Sequence, residues 1–309
     1  MSASSNVFNQ TFLDNIEAGN VKMAQAGADE FVRMKMREDG FTRRILEPQQ
    51  ITNDMLDRQV DTDKPVMVLD KEPDSPAAIT VPFGTVPENT YIYGPRYRVM
   101  FDRIMTPRFT KDIDELRTYD MDIRQIMSDN SVKDMTAEED AKFIAAVNTI
   151  LSNGTGLANQ TSSITGAVQW RTISGGITRD SLVEALKVMN DTSAHLEPAI
   201  ALCNHKTAKE VLKFTRNEAG GDLSQDMILN GFAERDFLTT KWVVTIKRDL
   251  VPDNTIFYFA DPKFLGKFFV LEDSTMFIEK KAFMLEWFAY ELIGGAIANA
   301  AACARVDFS

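Results

Sequence analysis

The sequence has 309 residues, with 34 Lys+Arg against 45 Asp+Glu, two His and two Cys. That length allows about two domains at roughly 100–200 residues each, and 44% hydrophobic with 26% charged residues is ordinary for a globular chain, which excludes collagen-like and disordered classes. A net charge of −11 opposes a conventional nucleic-acid binder, two cysteines cannot build a disulfide framework or a four-Cys zinc site, and two histidines leave little for a His-rich metal centre.

Residues 11–39 carry Phe12, Ile16, Phe31 and Met34 at helical spacings, interrupted by Gly19 and Gly27. This predicts a weakly amphipathic helical arm stopped at Gly40. No basic region followed by an apolar run opens the sequence, so no secretory signal is expected. From Phe41 to about Arg103 the apolar runs are short: Val66 to Leu69, Ala78 to Val81, Tyr91 to Tyr93 and Tyr97 to Phe101. Pro73, Asp74 and Pro76 break the region into turns. It reads as a long β-excursion with too few residues for a core of its own, and an isolated hairpin is marginal in water. Something else must cover it, either the rest of the chain or another copy.

A helix is expected over Asp112 to Met127, then a polar break from Ser128 to Met135. A second helix should start at a capping box, Thr136 with Glu139, and run through Phe143, Val147, Ile150 and Leu151 to Asn153-Gly154. The Gly/Thr/Ser/Asn-rich stretch 154–176 marks the clearest boundary. Beyond it, Leu182, Ala185, Leu186 and Met189 form a helical stripe, and Ala199 to Leu202 a short buried strand. Asn204 is placed to cap a helix carrying Ala208, Val211 and Leu212. A short helix over 224–230 should stop at Gly231. Strands follow at Trp242 to Lys247, Ile256 to Phe259, Phe268 to Leu271 and Met276 to Ile278, and the last 25 residues are strand-prone. The run Leu292 to Ala304 is too short to span a bilayer and reads as buried strand or close-packed backbone.

Candidate chemistry is sparse. Cys203-Asn204-His205 is the one place where a thiol lies near an imidazole, but a nucleophilic Cys needs a positioned base and an orienting third group, and Cys203 ends an apolar run. His195 sits in a polar turn. Gly154-Thr155-Gly156 follows a helix and lacks the Lys of a phosphate-cradling loop. Asp112, Asp114, Glu115 and Glu138, Glu139, Asp140 each suit a helix start, where negative charge meets the positive end of the dipole. Lys22, Arg33, Lys35, Arg37, Arg43 and Arg44 form the one local basic concentration, facing either nucleic acid or acidic patches on neighbouring copies. No catalytic, cofactor-binding or metal-ligating residue is assigned.

The order of parts does resemble a known family. The segment Phe83 to Leu116, the run Leu250 to Asn254 with Ala260-Asp261-Pro262 and Phe264-Leu265-Gly266, and the ending Ala298-Asn299 through Ala304 to Phe308 are similar to the tailed-phage major capsid proteins. The resemblance implies an α+β Hong Kong 97 type capsid fold. Its parts would be an N-terminal arm (1–60), an extended β-loop (61–105), a peripheral domain with a long spine helix (106–175), an axial α/β domain (176–264) and returning C-terminal strands (265–309). It implies no enzyme activity and no cofactor. It implies an icosahedral shell of hexamers and pentamers around double-stranded DNA, assembled in the host cytoplasm. The partners would be the chain itself, scaffolding, portal, decoration and head-completion proteins, and weakly held DNA, with no membrane. Some members cross-link Lys to Asn between subunits, for which Lys64 and Lys71 are candidates by position only. An encapsulin-like compartment and a two-domain enzyme stand as alternatives.

Overall fold

A computed structural model describes residues 40–58, 60–73, 78–118, 123–153, 159–211, 213–214, 234–237 and 239–309. The helical arm expected over 11–39, the helix over 224–230 and the glycines 154, 156 and 231 lie outside these residues. The described chain runs through α1 (Thr42–Ile45), β1 (Pro48–Gln50), β2 (Val66–Asp70), β3 (Arg96–Met100), β4 (Asp102–Met105) and β5 (Phe109–Asp112). It continues with α2 (Ile113–Thr118), α3 (Ile123–Leu151), β6 (Gln160–Thr161), β7 (Val168–Ile173), α4 (Arg179–Asn190), β8 (Ile200–Asn204) and α5 (His205–Val211). The remainder is β9 (Glu234–Phe237), β10 (Thr240–Thr245), β11 (Thr255–Phe259), α6 (Pro262–Leu265), β12 (Gly266–Lys281), β13 (Met284–Ile297) and β14 (Cys303–Phe308).

Two sheets organise these elements. A seven-stranded sheet has the order β6-β7-β14-β11-β8-β10-β9. Its centre, β8 and β11, is buried at every position, which is why ALC and IFYF read as continuous apolar runs rather than alternating ones. α4 covers the sheet with Leu182, Ala185, Val188 and Met189. It starts from a capping box in which Thr178 and Ser181 each satisfy the other's backbone N–H. The Gly/Thr/Ser/Asn-rich stretch that reads as a boundary carries β6 and β7, and β7 pairs in parallel with β14 from Trp170–Arg305 to Ile173–Phe308. Val168, Trp170 and Thr172 supply the strand preference that the glycines obscure.

The second sheet has the order β1-β12-β13-β4, with β5 also on β13. Its frame is the β12–β13 hairpin, paired from Gly266–Ile297 to Lys281–Met284. The separate strands expected at Phe268 to Leu271 and Met276 to Ile278 are one 16-residue strand, in which register shifts around Glu272 absorb the polar stretch. Along β13, Leu285, Trp287, Ala289 and Ile293 alternate into the core, and the same period carries Glu291 inside.

Helix α3 crosses the molecule beside this sheet. Its 29 residues span roughly 43 Å at about 1.5 Å per residue. The expected interruption at Ser128 to Met135 does not occur, because that stretch contains neither Gly nor Pro and nothing in it forbids helical backbone. Thr136 is therefore no cap: it lies inside the helix with its hydroxyl buried and unpartnered. Asp112 opens α2 by accepting the N–H of Asp114 at 2.8 Å. At the other end of α3 the Ser162 hydroxyl donates to the Ile150 carbonyl at 2.8 Å, satisfying one of the last turn's open acceptors. Among the described residues no helix is long and apolar enough to cross a membrane.

Candidate assembly surface

The strands β2 and β3 form a two-stranded arm, in register from Val66–Met100 to Asp70–Arg96. Its base packs as a small cluster of Ile51, Val99, Phe101 and Phe269, with Met67, Leu69 and Tyr97 against it. The last backbone link is Lys71 N–H to the Pro95 carbonyl at 2.9 Å. Beyond that link the described residues form no strand, and Ile79, Val81, Phe83, Val86, Tyr91, Ile92 and Tyr93 are all exposed. Ala78 to Val81 and Tyr91 to Tyr93 have strand-forming residues but meet no partner strand among the described residues. Tyr91 and Tyr93 touch only edge to face, at 4.7 Å between ring centres. A run of apolar side chains this long in solvent marks an interaction surface.

The base of the arm adjoins a second feature that the sequence did not announce. The Arg43 side chain in α1 is 7% exposed, and Glu139 of α3 and Glu291 of β13 each meet it at 3.1 Å, with Asp273 of β12 at 3.8 Å. Asp140, one residue from Glu139, accepts the Thr42 N–H at 3.0 Å and hydroxyl at 2.7 Å and pairs with Lys247 at 2.6 Å. α1 is thereby capped by a side chain nearly a hundred residues away in sequence. Burial pushes Glu139 up to about 7, with Asp140 adding to the rise and Arg43 opposing it. Burial also pushes Glu291 up to about 8, with Glu139 reinforcing it. Burial alone would lower Arg43, but Glu139, Glu291 and Asp273 outweigh it and hold its pKa above the ordinary value.

The basic concentration read from the sequence is divided by this arrangement. Arg43 faces acids of its own chain rather than nucleic acid or a neighbour, while Lys22, Arg33, Lys35 and Arg37 lie outside the described residues. The clue available in sequence was Glu291, an acid in phase with the buried face of an otherwise apolar strand.

The other candidates are not brought together into a reactive site. Cys203 is fully buried in β8, and burial raises its thiol to about 12, away from the thiolate needed for nucleophilic chemistry. Asn204 accepts the Thr207 N–H at 2.8 Å and so caps α5 as its position predicts. His205 opens that helix with Nδ1 buried and unpartnered. His195 has φ of 48° and its Nδ1 lies 3.1 Å from the Asn190 carbonyl at the end of α4. Lys64 pairs with Asp102 at 2.8 Å across the arm's base, whereas Lys71 is exposed where the arm's strands end. Among the described residues no cluster of His, Cys, Asp and Glu could hold a metal ion.

No family model and no curated protein matches the sequence. Solved structures do match. The chain is similar to the bacteriophage PhiM1 mature capsid, with 9% identity and a TM-score of 0.58 over 88% of this chain and 87% of that one. It is similar to the Cyanophage Pam1 capsid, with 11% identity and a TM-score of 0.56 over 80% and 85%. It is similar to a virus-like particle from Pyrococcus furiosus, with 13% identity and a TM-score of 0.51 over 91% and 98%. At such identities the likeness is one of fold: the mixed α/β architecture, with its long helix and multi-stranded sheets, is the Hong Kong 97 type found in phage capsids and in virus-like particles.

Proposed function

We propose that this fold serves here as a shell subunit, a major capsid protein that self-assembles through hexamers and pentamers into an icosahedral shell around the double-stranded DNA of a tailed bacteriophage. The observation that carries the reading is the arm beyond Lys71 and Pro95, whose apolar side chains have no core among the described residues. A neighbouring copy is the covering that such a segment requires. The division into arm (1–60), extended loop (61–105), peripheral domain (106–175), axial domain (176–264) and returning strands (265–309) belongs to the same proposal. So do assembly in the host cytoplasm and weak, non-specific contact with the packaged DNA, which suits a chain of net charge −11.

Negative-stain electron microscopy of the expressed protein tests it. Closed particles of uniform size are expected; a small oligomer under all conditions would overturn it. A protein compartment is the second reading, favoured by the two-way length agreement with the Pyrococcus furiosus particle, 91% of this chain and 98% of that one. Nuclease-treated particles separate the two: protected genomic DNA supports the capsid, enclosed enzyme the compartment.

A further inference from the structure

At the meeting point of α1, α3 and the β12–β13 hairpin, three carboxylates converge on one guanidinium: Glu139, Asp273 and Glu291 around Arg43. Among the described residues, the other charges nearby have partners of their own. Asp140 of α3 is matched by Lys247, which follows β10. Lys142 of α3 is half-exposed and lies 3.9 Å from Asp102 of β4, whose nearer partner is Lys64. Glu291 is the extreme case. Its side chain is 0% exposed, one oxygen meets Arg43 at 3.1 Å, and the other, Oε1, is buried with no hydrogen-bond partner. A full carboxylate with one oxygen neither solvated nor paired is costly, and a neutral carboxyl far less so. Ser274, whose hydroxyl is also buried and unpartnered, lies in the irregular part of β12 opposite Glu291, between the pairs Glu272–Leu292 and Thr275–Tyr290. Like charges crowded into one desolvated site cannot all ionise. Glu139 lines a cleft of about 360 Å³ with Thr42, Lys142 and Phe268, which gives protons a way in.

We propose that Glu291 holds a proton at neutral pH, and that this proton latches the hairpin onto the long helix beside Arg43. Its loss sets Glu291 of β13 against Glu139 of α3 as like charges and loosens the hairpin from the helix. The raised positions of Glu139, near 7, and Glu291, near 8, agree with the geometry and fix the sign. A group whose folded pKa is raised stabilises fully below its unfolded value, and that contribution is gone once the pH passes the folded value. The latch is therefore strongest in mild acid and spent above about 8.

Infrared spectroscopy of the full-length protein in deuterated buffer reads the proton directly. At about pH 7, where ordinary carboxyls are ionised, the wild type should retain the carbonyl band of a protonated carboxyl. The band should vanish by about pH 9 and be weaker in Glu291→Gln. Absence of the band in the wild type at neutral pH, or an equally strong band in the variant, overturns the proposal. If the variant does not fold, hydrogen exchange of the wild type decides. Corrected for intrinsic rates, protection of the amides from Tyr290 to Leu292 should fall about tenfold per pH unit between about 5 and 8. Protection independent of pH overturns the proposal. Neither measurement depends on particles forming, so the latch and the shell reading can fail separately.

Discussion

Packing gives Gly294 and Gly295 each a definite reason to lack a side chain. A Cβ on Gly294 would sit 2.9 Å from the Phe101 ring and 3.1 Å from Val99, so β13 can approach the arm's base only without a side chain there. A Cβ on Gly295 would meet the Phe268 ring at 3.3 Å, a milder crowding. Gly266 is tighter than either, since its Cβ would fall 2.1 Å from the Ala296 carbonyl oxygen, which is backbone and cannot rotate away. Denaturant unfolding of the three alanine variants should rank them in that order of harm. Gly266→Ala should fail to fold or lose more than about 3 kcal/mol, Gly294→Ala should lose about 1–3 kcal/mol, and Gly295→Ala least. The ion pairs at Arg43 illustrate the same limit. Arg43 and Glu139 are far apart in sequence, and no local pattern says that they meet.

Among the elements, those whose residues face a single environment were legible. The stripe of α4, the Asn204 cap and the runs of β8 and β11 follow from period and composition. The elements that local pattern does not disclose are those in which polar residues are buried. The polar residues from Ser128 to Met135 read as a break, yet Ser131 and Thr136 are buried and the helix continues. The polar residues between Leu271 and Met276 separate two apolar runs, yet Ser274 is buried and β12 is continuous. α1, a single turn, is too short to stand by propensity and depends on Asp140 for its first N–H. Asp140→Ala removes that cap and leaves Lys247 without its buried partner. A stability loss of about 3–5 kcal/mol is expected in equilibrium unfolding, with Asp140→Asn losing less because it keeps an acceptor for Thr42.

For the whole molecule, the proposed function gives the arm a role in assembly that can be tested apart from folding. Lys71 and Pro95 are already joined by a backbone hydrogen bond, so replacing residues 72–94 with an Asn-Gly turn preserves β2, β3 and the cluster beneath them. Thermal unfolding of this variant should match the full-length protein, while electron microscopy should find no closed particles. Undiminished particle yield would show that the exposed apolar segment is not what holds copies together. Both outcomes are read against a subunit that keeps its two sheets and long helix intact.

The sequence by itself determined the broad class: an acidic chain with an ordinary core, little reactive material, and an arm too poor in apolar residues to support itself. It did so because composition and hydrophobic period report burial averaged over an element. Only the tertiary structure decided where polar residues are buried. It carried α3 through a stretch that reads as a polar break, made one strand of two, placed β7 in a stretch that reads as a boundary, and set three acids around Arg43. Those outcomes depend on partners distant in the chain, and a local pattern carries no record of them.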